Sequence, residues 1–196
     1  MMNTIRQPTA VPTADQIRGE VRRVREKRRK LHRGAAAVGC LLVAAAAAVL
    51  LSYLVLPVFQ IRGRSMQPTL RPGSIVVAVK GANVRPGNVI AFYVGNQLLI
   101  KRCIAGPGQM VEIDEEGTVY VDGQPLDEPY LAAKAQGNCE IEFPYTVPPD
   151  SWFVLGDNRA DSVDSRNTAV GCVENRQIAG KVMVCVWPPS ALGALQ

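Results

Sequence analysis

The chain has 196 residues, with 22 Lys and Arg against 17 Asp and Glu, a net charge of +5 and one histidine. That histidine, His32, precedes the longest apolar run, so a Ser-His-Asp site or a histidine-ligated zinc beyond the run is excluded. The charge is unevenly spread: residues 1–33 hold ten Lys and Arg against Asp15, Glu20 and Glu26, a net +7, leaving −2 for everything after them.

The basic cluster Arg22, Arg23, Arg25, Lys27, Arg28, Arg29 and Lys30 abuts residues 34–56, a run of 23 residues without a charge. As a helix rising about 1.5 Å per residue, that run spans about 34 Å, one bilayer crossing. Its alanine-rich centre, Ala44 to Ala48, would also suit a buried helix of a soluble protein, but the length and the basic flank favour a transmembrane helix. A basic arm for nucleic acid is the competing reading of the flank. Its position directly against the apolar run points instead to positive-inside anchoring, so no nucleic-acid partner is expected. The run exceeds the roughly 7–15 residues of a signal-peptide core, so an uncleaved anchor is expected. Residues 1–33 are then a cytoplasmic segment, 34–56 a single-pass span of the cell membrane, and 57–196 an extracytoplasmic domain.

That domain reads as mainly β. Residues 74–80, 88–93, 97–104, 117–123, 151–156 and 180–187 are short β-branched or apolar runs punctuated by glycine and proline. Residues 122–150 differ: Pro125, Pro129, Pro144, Pro148 and Pro149 with scattered acids predict a loop-rich cap insertion. Cys103, Cys139, Cys172 and Cys185 show no C-x-x-C spacing, so no metal is expected, and their pairing stays open.

Ser65 stands just past the apolar run, and without a histidine nearby the base able to activate its hydroxyl is a lysine. A free lysine, with a pKa of about 10.4, is neutral in fewer than roughly one molecule in a thousand at pH 7, so burial has to lower it. Lys101, in Leu98-Leu99-Ile100-Lys101-Arg102-Cys103-Ile104, has the most apolar setting; Lys80, Lys134 and Lys181 lie in a turn, in the loop-rich insertion and in a late strand after Gly180. Taken singly, such a serine is a turn residue and such a lysine points to solvent.

Three ordered blocks change that weighting. They are Gly63-Arg64-Ser65-Met66-Gln67-Pro68-Thr69-Leu70, Lys101-Arg102-Cys103-Ile104-Ala105-Gly106-Pro107-Gly108, and the stretch from Gly156-Asp157-Asn158-Arg159 to Ser162-Val163-Asp164-Ser165-Arg166. With the N-terminal anchor, they resemble the signature boxes of type I signal peptidases over roughly residues 58–186. Gly117 to Gly123, followed by Glu128-Pro129-Tyr130-Leu131, resembles the short cap of the single-anchor, Gram-positive type. The chain departs from the family at Asn88, Ser74 and Gln109, where relatives often carry acids.

The resemblance implies a membrane-anchored serine endopeptidase with no cofactor. Ser65 would be the nucleophile and Lys101 the general base, with the Ser65 N–H in the oxyanion hole. Gram-negative relatives place a further hydroxyl donor where this chain has Gly63. Ser162 would orient the lysine amine, and Asp164 and Arg166 would form a supporting ion pair. The implied partners are signal peptides of exported preproteins, cleaved after small residues at −1 and −3, the lipid bilayer and the protein-export machinery. An extended substrate would add to a strand edge near Ser65, with Ile61, Met66 and Val89 as pocket walls and Val58 and Phe59 dipping into the bilayer surface. Two rivals stand beside this reading: a self-cleaving repressor-type Ser/Lys peptidase, and a noncatalytic membrane-anchored β domain that binds exported proteins.

Overall fold

A computed structural model describes residues 14–194. The chain divides between Ser52 and Tyr53 into two units. The first belongs to helix α1, Ala14–Val55. The helix begins twenty residues ahead of the expected span, because Lys, Arg, Glu and Ala are strong helix formers and no proline interrupts them after Pro12. It stops at Val55, leaving Leu56 outside, since Pro57 disfavours helical backbone in the residue before it. Among the described residues no helix is long and apolar enough to cross a membrane. The expected span 34–56 falls partly on side chains outside them, and residues 1–13 of the expected cytoplasmic segment lie outside as well.

The second unit is built from β1 (Val58–Gln60), β2 (Ile75–Val79), β3 (Val89–Val94), β4 (Gln97–Ala105), β5 (Met110–Ile113) and β6 (Val119–Val121). It continues with β7 (Gln124–Pro125), β8 (Tyr145–Thr146), β9 (Ser151–Leu155), β10 (Val173–Glu174), β11 (Ile178–Trp187) and β12 (Gly193–Ala194). The larger sheet runs in the order β1-β2-β11-β3-β4-β9-β10, with β12 added on β11, and the smaller in the order β7-β6-β5-β8. The neighbours are antiparallel throughout.

Side-chain alternation explains the layering. In β2, Val76 and Ala78 are fully buried while their neighbours are half-buried, the period-two signature of a strand with one core face. In β9, Phe153 and Leu155 pack with Ile104, Val111 and Val119 beneath the smaller sheet, while Val154 faces the other way toward Ile90, Phe92 and Cys103. A register shift opposite β9 between Cys103 and Ala105 turns both Ile104 and Ala105 to the same cluster, as a bulge does. The two-residue turn Asp122-Gly123 between β6 and β7 has φ of 52° and 75°, the all-positive backbone favoured in tight hairpins.

The six strands expected from sequence lie where the apolar runs are, with no end shifted by more than two residues. β5 was not anticipated, and it is the strand that makes the second sheet, pairing with β6 and β8. Between β7 and β8 the chain is irregular.

Candidate active site

Ser65 lies in a string of turns between β1 and β2. The Gln67 N–H donates to Arg64 O at 3.0 Å and the Leu70 N–H to Met66 O at 2.7 Å, which coils the segment tightly. Met66 and Leu70, each 1 % exposed, sink from the coil into the core beside Ile61, so the apolar members of the first block act as pegs. They leave Ser65 half-buried at the surface. Its carbonyl accepts the Asn158 N–H at 2.9 Å, which ties this turn to the third block. Among the described residues its own N–H has no hydrogen-bond partner.

Lys101 reaches Ser65 from β4. On one side β4 pairs with β3, with Lys101 opposite Ile90; on the other, pairing with β9 starts only at Arg102. Lys101 thus sits where the strand passes from an open edge into the sheet interior. It is 3 % exposed, and its ammonium donates to Ser65 Oγ at 2.6 Å. Burial lowers the amine to about 8; Asp164 and Asp157 pull it back up, and Arg166 pushes it further down. At that value about one molecule in ten is neutral at pH 7, compared with fewer than one in a thousand for a free lysine.

Behind the pair runs the loop 156–166. A side chain on Gly156 would stand 2.2 Å from Ser162 Oγ and 2.5 Å from Ser65 O, so only glycine lets the loop approach this closely. Asp164 and Arg166 are both fully buried and joined by two 2.8 Å bonds, and Asp164 also accepts the Gly156 N–H at 3.0 Å. Ser162 is beside Gly156, but its buried hydroxyl has no hydrogen-bond partner, so no bond joins it to Lys101. Gly63 is exposed, with open space where a side chain would be, and supplies no side-chain donor.

Sequence reading missed two further buried ion pairs. Arg102 meets Asp157 through two 2.9 Å bonds, donates to Gly87 O at 2.7 Å and stacks on the Tyr130 ring at 3.8 Å. Arg159 meets Glu128 through both terminal nitrogens and donates to Gly156 O at 3.1 Å, while Tyr130 OH also donates to Glu128. Charged residues inside otherwise apolar blocks were the available signal, but the partners are 55 and 31 residues apart.

A cleft of about 530 Å³ runs along β1 and the open half of β4 to Ser65 and Lys101. Ile61 and Met66 line it together with Leu98 and Ile100. Val89, expected as a pocket wall, is instead buried in the core, because β3 lies between β4 and β11. Among the described residues no group of three or more His, Cys, Asp or Glu is placed to hold a metal, and all five cysteines are free thiols. Burial raises Cys172 to about 11 and Cys103 further still, so neither thiol is activated.

The family model described as signal peptidase, peptidase S26, matches residues 35–187. Signal peptidase IB of Staphylococcus aureus (strain COL) is 36% identical over 156 residues, 69% of this chain and 80% of the relative. Signal peptidase I of Bacillus amyloliquefaciens is 32% identical over 161 residues, 76% of this chain and 82% of the relative. The crystal structure of a signal peptidase I from Enterococcus faecalis V583 is 32% identical and aligns with 51% of this chain and 97% of its own, at a TM-score of 0.44.

Proposed function

The chain belongs to the signal peptidase family, peptidase S26, and is a hydrolase of the signal peptidase I type, and from that premise we propose that Ser65 and Lys101 form its catalytic dyad. The substrates are exported preproteins, cut after small residues at −1 and −3. The observation that carries this reading is the 2.6 Å contact between a 3 % exposed Lys101 amine and the Ser65 hydroxyl.

The neutral fraction of Lys101 takes the Ser65 proton as Oγ bonds to the scissile carbonyl carbon. The Ser65 N–H, which has no other partner among the described residues, donates to the oxyanion that forms. As the tetrahedral intermediate collapses and the C–N bond breaks, the Lys101 ammonium returns its proton to the leaving amine. Water then attacks the acyl-enzyme with Lys101 again as base, and release of the carboxylate regenerates the Ser65 hydroxyl. The Asp164–Arg166 pair positions Gly156, and through it the backbone against Ser65, without touching the substrate.

The free edges of β1 and of the first half of β4 both border the cleft, which supports binding of an extended chain by strand addition. Residues 34–56 anchor the protein in the cell membrane with the basic segment 1–33 in the cytoplasm and the peptidase domain 57–196 outside, carrying residues 122–150 as its cap. There the bilayer and the export machinery bring the substrate to it.

The test is cleavage of a purified preprotein with an Ala-x-Ala site by the full-length chain. Ser65→Ala and Lys101→Ala each abolish cleavage and keep the wild-type circular dichroism. Undiminished turnover by either variant sinks the dyad, and a wild-type chain that leaves the preprotein uncut leaves the noncatalytic β domain standing.

A further inference from the structure

A second groove, of about 470 Å³, begins where the first cleft ends: the cleft is lined as far as Ser65 and Met66, and the groove starts at Gln67 and Pro68. Asn158, which holds the Ser65 and Arg64 carbonyls through its N–H and side-chain amide, forms part of its wall. Ala132, Ala135 and Ala160 line it with methyl groups only, which keeps it open. Two charged residues border it. Asp157 is neutralised by the two bonds from Arg102, whereas Arg71 is exposed and in no ion pair among the described residues. The groove is therefore electropositive.

Together the cleft and the groove offer a polypeptide crossing Ser65 a way in on one side and a way out on the other. The cleft begins at Val58, directly after α1 ends at Val55. In the function proposed above, that end lies at the bilayer, where the apolar part of a signal peptide also resides. The segment before the scissile bond then fills the cleft, and the segment after it runs into the groove.

We infer that the groove receives the first residues of the mature chain and that Arg71 makes it select acidic over basic side chains there. The inference rests on the Ser65–Lys101 reading. A guanidinium in the wall attracts a carboxylate and repels an ammonium, and one solvent-exposed charge pair changes kcat/KM by about threefold.

Two peptides with the same signal sequence and Ala-x-Ala site, one with Asp and one with Lys at the second to fourth positions after the cut, test this on the full-length chain in detergent. The acidic-to-basic ratio of kcat/KM is above one for the wild type, about one for Arg71→Ala and below one for Arg71→Glu. The wild-type ratio also shrinks toward one as salt is raised to about 0.5 M. A wild-type ratio of one, or the same ratio in all three proteins, overturns the assignment. Ser65→Ala separates the two readings: cleavage by that variant refutes the dyad, whereas its inactivity together with an unchanged ratio in Arg71→Glu refutes only the groove.

Discussion

The turns that carry Ser65 and the loop 156–166 touch at Ser65 O and Gly156, and they are held in contrasting ways. The turns are fixed by apolar pegs, Met66 and Leu70, with Arg62, Gly63 and Arg64 left exposed to solvent. The loop is fixed by charge: Asp157, Arg159, Asp164 and Arg166 are all buried and all paired. Each bidentate pair sets both distance and plane, which a greasy contact does not. The nucleophile thus rides on a segment that substrate can reach, backed by a loop whose ion pairs are closed to water. Pairs this deeply buried are weak sources of net stability, because desolvation offsets much of their attraction. Their use here is geometric.

Breaking a pair from one side tests the charged region most severely. Asp164→Ala strands a fully buried guanidinium and is expected to cost roughly 3–5 kcal/mol, read as a fall in the urea midpoint. A loss below about 0.5 kcal/mol would mean that the pair does not organise the loop.

Lys101 belongs to neither region and is the next largest lever. Its folded value of about 8 is below its ordinary 10.5, so between these pH values the unfolded chain binds a proton that the native chain does not. Stability therefore rises with pH across that window, by about 1.4 kcal/mol per unit, while below it the native protein bears the full cost of a buried charge. Lys101→Met is expected to be more stable than the wild type at pH 7, and the gap is expected to close toward pH 10.5. The same titration makes kcat/KM fall about tenfold per unit as pH drops below about 8. A flat activity profile from pH 5 to 9 rules out lysine as the base.

Two glycines make the smallest and most direct comparison of the regions. Gly156→Ala forces apart Ser162 and the Ser65 carbonyl and is expected to cost about 1–3 kcal/mol, with a loss of kcat that exceeds the loss of stability. Gly63→Ala meets nothing within 4 Å and stays within about 0.5 kcal/mol of the wild type by thermal melting. Equal effects from the two would erase the distinction between a crowded back and an open front.

The same contrast explains what could be read beforehand. The missing histidine beyond residue 33 left lysine as the available base, and the apolar neighbours of Lys101 singled it out, because burial in a strand leaves a local hydrophobic pattern. The long strands were legible for the same reason. β5 was not, being four residues long with Glu112 inside it and defined by its partners. Arg102–Asp157 and Arg159–Glu128 were hidden because charge pairing across tens of residues follows from topology and leaves no spacing rule behind. Ser162 shows the converse: its block was conspicuous, yet its hydroxyl is aimed at the Gly156 backbone without a bond.

The open edge of β1 has one more consequence. A strand with one open edge invites a second copy of the same strand to extend the ladder, the first step of aggregation. Arg62 and Arg64 follow this edge and are exposed to solvent, and charge beside an edge strand opposes such pairing. The residues that border the nucleophile thus also act as gatekeepers: a neutral or acidic peptide is admitted to an edge from which the protein's own twin is turned away.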